Sequence, residues 1–110
     1  DTDKYRALVE AMELDRERRK EGPCDRAYDF IAKLVPEAKQ RGLRLGIENR
    51  EAVHEIPLDH DFAIFFRRFR DDTVAYWHDC GHAQIKENLG LLFHTMHLEG
   101  LADRLGGFHI

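Results

Sequence analysis

Residues 74–83 read VAYWHDCGHA. Val74, Ala75, Tyr76 and Trp77 form an apolar run, as in a strand of a parallel sheet that is covered on both faces. The run then ends in His78, Asp79, Cys80 and His82, residue types that bind metal ions or move protons. An apolar strand that stops in such a cluster carries polar side chains to the end of a sheet.

Outward from this strand, two further segments have the same character. LRLGIEN, residues 43–49, alternates Leu43, Leu45 and Ile47 with Arg44, Gly46 and Glu48, the period of a strand. GGFHI, residues 106–110, begins a third strand. Helical patterns fill the space between. A helix over 3–20 carries Tyr5, Leu8, Val9 and Met12 as an apolar stripe and ends in the solvated tail ELDRERRK. EGPCD reads as a break, and Asp25 as the N-cap of a second helix over 25–41. Tyr28, Ile31, Ala32 and Val35 share a face of it, Pro36 is expected to kink it, and Gly42 ends it. REAVHEIPLDHD reads as a loop, 60–70 as a short helix with Phe62, Ile64, Phe65 and Phe69, and 83–104 as a helical region weakened at Gly90 and Gly100. The order ααβαβαβ predicts an α/β fold with parallel strands joined by right-handed crossovers.

The chain has 110 residues, enough for one small domain with a modest core. Both signs of charge are interspersed and the net charge is −4, so no basic surface points to nucleic acid or an anionic membrane. No apolar run reaches the roughly 18 residues of a membrane-crossing helix. DTDKYRALVE has no signal-peptide pattern and begins without Met, which leads us to expect further sequence upstream. Cys24 and Cys80 do not make a disulfide framework, and the cytoplasm is the expected location.

Glu48, Asp79 and His109 stand at the C-terminal ends of the three strands, 31 and 30 residues apart. That is about one strand–helix repeat, and equivalent points on successive parallel strands lie side by side. Strands are about 4.8 Å apart, so one ion with ligand bonds near 2.1 Å is within reach of neighbouring strand ends. A Glu/Asp/His set suits a divalent Mn²⁺, Zn²⁺ or Mg²⁺ ion. Taken singly, Glu48 also reads as a solvated strand-end carboxylate, Asp79 as a helix N-cap and His109 as a half-buried polar residue. The shared spacing argues for a common site. His82, in D-x-x-H with Asp79, is placed to face the same cleft. His78 is expected on the opposite face in a structural role, and Cys80 lacks an activator for nucleophilic work. His94 and His97, at i and i+3 without a third ligand beside them, read as a solvated or core-edge pair. His54 and His60 read as solvated.

LGIENR, YWHDCGHA and GGFHI, in that order and spacing, resemble the sugar phosphate isomerase/epimerase family of xylose isomerase-like (β/α)₈ barrels. The resemblance covers the chain from about residue 25 onward. It implies that residues 1–110 are a single partial TIM-barrel domain, about three parallel strands of eight with their helices. It implies that Glu48, Asp79 and His109 are metal ligands, that His82 contacts substrate, and that a fourth ligand, a Glu, comes from a later strand. The activity implied is a divalent-metal-dependent isomerisation or epimerisation of a sugar, sugar phosphate or polyol, with Glu48 also moving a proton next to a carbonyl. The partner implied is a small-molecule substrate, with neither nucleic acid nor membrane, and a homo-oligomer stays open. An endonuclease IV-like hydrolase of abasic sites, in which His82 meets a second metal, and a non-catalytic binding module are the alternatives.

Overall fold

A computed structural model describes residues 1–110 as α1 (Thr2–Arg19), α2 (Glu21–Gln40), β1 (Leu45–Glu48), α3 (Asp61–Arg68), β2 (Val74–Asp79), α4 (Cys80–Asn88), α5 (His94–Gly100), a 3₁₀ turn (Ala102–Arg104) and β3 (Leu105–His109). The three strands form one sheet in the order β1-β2-β3, and both pairings are parallel. This α/β succession is consistent with part of a barrel.

The register sorts the side chains. Leu45 pairs with Val74 and Ile47 with Tyr76, while Gly46 pairs with Ala75 and Glu48 with Trp77. The first set faces the helices. Ile47, Val74 and Tyr76 join Phe62, Phe65, Phe69 and Leu101 in a buried cluster, with Tyr28, Ile31, Ala32 and Val35 of α2 packed against it. Phe62 and Tyr76 are wholly buried and meet edge to face, with ring centroids 4.8 Å apart; burying a side chain of this size contributes about 1.5–3 kcal/mol. Ile64 is exposed, because 100° per residue carries it round α3 away from Phe62 and Phe65.

Three boundaries differ from the sequence pattern. Only Lys20 separates α1 from α2. Pro23 lies in the first turn of α2, where backbone N–H groups lack an intrahelical acceptor in any case, so EGPCD does not break the chain. The helical region expected over 83–104 is divided into α4, α5 and the 3₁₀ turn, and Gly90 takes a left-handed φ of 75° just after α4. The stripe on α1 is not core: Tyr5, Leu8 and Met12 are exposed. The C-terminal end of α1 is what anchors it. Arg16, buried, donates to the Glu55 carbonyl at 3.0 Å and to the Asp61 carboxylate, and Lys20 Nζ lies 3.1 Å from Asp61. Burial pushes the Asp61 carboxyl up, but Arg16, the Leu58 N–H and Lys20 outweigh it and hold the group below its usual value. No helix is long and apolar enough to cross a membrane.

Candidate metal centre

The second set of side chains occupies the other face of the sheet, and its strand-end members meet. Asp79 pairs with His109 across β2 and β3. His109 Nδ1 lies 2.5 Å from Glu48 Oε1 and 3.6 Å from Asp79 Oδ2. One donor atom from each of Glu48, Asp79 and His109 lies within 4.8 Å of the other two. Period-two alternation and parallel register require this convergence once the three residues end their strands. Glu48 and Asp79 are half-buried and His109 is exposed. Neither carboxylate forms an ion pair with Lys or Arg; the side chains paired with them are histidines.

Trp77 forms the floor beneath them, its ring centroid 5.6 Å from that of His109. The ring lies directly over Gly107, where an added Cβ would come within 2.3 Å of it. A side chain at position 107 would therefore displace Trp77 and the floor with it.

Two residues hold Asp79 in place. Its Oδ1 accepts the His82 backbone N–H at 2.9 Å and caps α4. That hydrogen bond, opposed by burial, keeps the carboxyl below its ordinary value and so ionised. Asp79 is thus both an N-cap and a member of the cluster. The second residue is Asn49, which the sequence reading passed over. Fully buried, its side chain donates from Nδ2 to the Asp79 carbonyl at 3.0 Å and accepts the Asp79 N–H at Oδ1, 2.6 Å away. The amide closes both backbone hydrogen bonds at the end of β2. Asn49→Ala leaves the two groups without partners, and each costs about 1–3 kcal/mol. We expect thermal unfolding of this variant to show a loss of about 2–6 kcal/mol; an unchanged melting curve would remove Asn49 from this role.

His82 is near, with Nδ1 2.8 Å from the Asn49 carbonyl and 3.9 Å from Asp79 Oδ1. A carbonyl only accepts, so Nδ1 carries a proton, and in the neutral ring Nε2 is the acceptor. His82 therefore offers an acceptor beside the three strand-end residues.

His78 takes the opposite face, as alternation requires, but its company was not expected. It is fully buried, with Nδ1 2.7 Å from the Tyr76 hydroxyl and Nε2 2.6 Å from His94 Nε2. The Tyr76 hydroxyl also meets His97 Nε2 at 3.0 Å, and His97 stands 3.7 Å from Asp59 Oδ1. Burial, then the neighbouring His94 and His97, push His78 down to about 4, so the ring is neutral at physiological pH. Burial also lowers His97, against the opposing Asp59 carboxylate, and raises Tyr76. His94 and His97 are half-buried at the edge of the core, as expected, but other ligand types do stand beside His94: His78, Cys80 and His94 bring one potential ligand atom each within 4.8 Å of one another. The signal was the alternation that sends His78 to the helix-covered face, but the position of α5 was not legible beside it. His54 and His60 are exposed, as expected.

No family model, no curated protein and no solved structure matches the chain.

Proposed function

We propose that the chain is part of a (β/α)₈ barrel that isomerises or epimerises a sugar, sugar phosphate or polyol with the help of a divalent ion. One observation carries this reading. Glu48, Asp79 and His109 converge from the C-terminal ends of three adjacent parallel strands, the end where such sheets build their sites. The residues fit a divalent ion, because two carboxylates and an imidazole surround one point and neither carboxylate is neutralised by Lys or Arg. Glu48, Asp79 and His109 would hold the ion, and Mn²⁺, Zn²⁺ or Mg²⁺ suits the set. When bound, it supplies the positive charge that stabilises a deprotonated hydroxy-carbonyl substrate.

The chain's own residues then divide the work. Asp79, capped onto α4 and kept ionised, is a fixed ligand. In isomerisation Glu48 takes the proton from the carbon next to the carbonyl and returns it to the carbonyl carbon, while the adjacent hydroxyl proton passes to the carbonyl oxygen; in epimerisation a second acid, the Glu expected from a later strand, returns a proton to the opposite face of the same carbon. His82 Nε2 accepts a hydrogen bond from a substrate hydroxyl and orients it. Trp77 supplies an apolar surface under the sugar.

The test, made on the intact barrel of which this chain would be part, is exchange of substrate α-protons with solvent deuterium, followed by NMR on a panel of ketoses, their phosphates and polyol-derived ketones. Exchange should depend on added Mn²⁺, Zn²⁺ or Mg²⁺. Asp79→Asn and His109→Ala should lower it through lost metal affinity, and excess ion should restore part of it. No exchange on any panel member with metal bound overturns the isomerase reading in favour of a hydrolytic or non-catalytic one.

A further inference from the structure

β2 delivers residues to both faces of the sheet at once. Asp79 goes to the strand-end cluster, while its neighbours His78 and Cys80 meet His94 on the far side. We propose that His78, Cys80 and His94 form a second metal site, one for a thiolate-accepting ion of the Zn²⁺ type, separate from the carboxylate site and independent of the isomerase reading.

The donor set is the first argument. Two imidazoles and a thiol select borderline-soft ions, whereas two carboxylates and one imidazole accept harder ones. The chain thus presents two donor sets of different softness, and they share no ligand.

The support around the ligands is the second. His78 is fully buried, and the Tyr76 hydroxyl at 2.7 Å holds its Nδ1, which turns Nε2 towards His94. The same hydroxyl rests on His97 Nε2 at 3.0 Å. A metal-binding histidine characteristically has its other ring nitrogen engaged in this way. Cys80 is a free cysteine at the first position of α4, directly after the Asp79 cap, and its sulfur lies within 4.8 Å of both His78 and His94 ligand atoms. The Glu87 carboxylate accepts the His94 backbone N–H at 2.7 Å and sets the start of α5.

Geometry is the third. Two nitrogens on a tetrahedral Zn²⁺ ion, each about 2.0–2.1 Å from it, lie about 3.3 Å apart. The two Nε2 atoms are 2.6 Å apart, so a small outward shift of His94 admits the ion. His94 is the first residue of α5 and follows the left-handed turn at Gly90, so the shift falls on the helix start, while His97 on the Tyr76 hydroxyl and Leu98 against the core keep the rest of α5 in place. On coordination Cys80 loses its thiol proton to solvent and both histidines bind as neutral rings. The ion then ties α5 and the start of α4 to the end of β2, on either side of Asp79.

Co²⁺ reports the site, because a thiolate bound to it adds near-ultraviolet charge-transfer absorption that carboxylate and imidazole ligands do not. The reduced, metal-free protein is titrated with Co²⁺. We expect the absorption to saturate at one ion per chain and to vanish on addition of equimolar Zn²⁺. It should persist in Glu48→Gln, and in Cys24→Ser, where Cys80 is the only thiol left. It should be lost in Cys80→Ser, and His94→Ala should weaken Co²⁺ binding by on the order of 10–100-fold, as loss of a supporting residue alone can do. Absence of the absorption in Cys24→Ser at saturating Co²⁺ overturns the proposal, whether or not the Cys80 variant folds. Its persistence in Cys80→Ser overturns it as well.

Discussion

Glu48→Gln should reduce turnover on the order of 10²–10⁴-fold while only weakening metal affinity. Gln keeps the length of the side chain and one carbonyl oxygen, so the contact at the end of β1 survives in shape. It loses the negative charge and the basicity. His109 Nδ1, now 2.5 Å from Glu48 Oε1, would still find an oxygen acceptor, so the fold around the cluster should hold. The loss should therefore appear in kcat at saturating metal and remain there. Asp79→Asn and His109→Ala should behave differently, with turnover that recovers as the ion concentration rises. If metal-saturated Glu48→Gln turns over near normally, Glu48 is a plain ligand and another group moves the proton.

Lys86→Met should cost about 3–5 kcal/mol of stability, the range for breaking a buried ion pair from one side. Lys86 is fully buried in α4, and its Nζ donates to Asp59 Oδ1 at 2.8 Å and to the Arg50 carbonyl at 2.7 Å. Those two acceptors lie near opposite ends of the segment between β1 and α3, which also buries Val53 and Leu58. The lysine thus fastens that segment to α4, next to Asn49 and His82. Met fills similar volume but leaves the nearly buried Asp59 carboxylate and a carbonyl without their donor. Small domains have about 5–15 kcal/mol in total, so the melting temperature should fall by more than about 10 °C. The double variant Lys86→Met, Asp59→Leu removes both charges and should recover much of the loss. A single variant that melts within a degree or two of the parent would show that Lys86 is dispensable.

These two residues were not equally legible. Glu48 can be found from sequence because its position depends on local periodicities. A strand alternates every two residues, parallel strands repeat after one crossover, and a spacing of about 30 residues places Glu48, Asp79 and His109 side by side. The α/β order, the three strands, the opposite facing of His78 and the apolar face of α2 follow from the same short-range rules. Only the tertiary structure decided that Lys86 meets Asp59, that Asn49 seals the end of β2, and that His94 reaches His78 and Cys80. It also decided that α1 leaves Tyr5, Leu8 and Met12 exposed and is held by Arg16 on Asp61. Each of these depends on how a helix or loop packs across the sheet. Periodicity says which face of an element is apolar, but the angle and depth at which it docks come from side-chain packing summed over residues far apart in the chain.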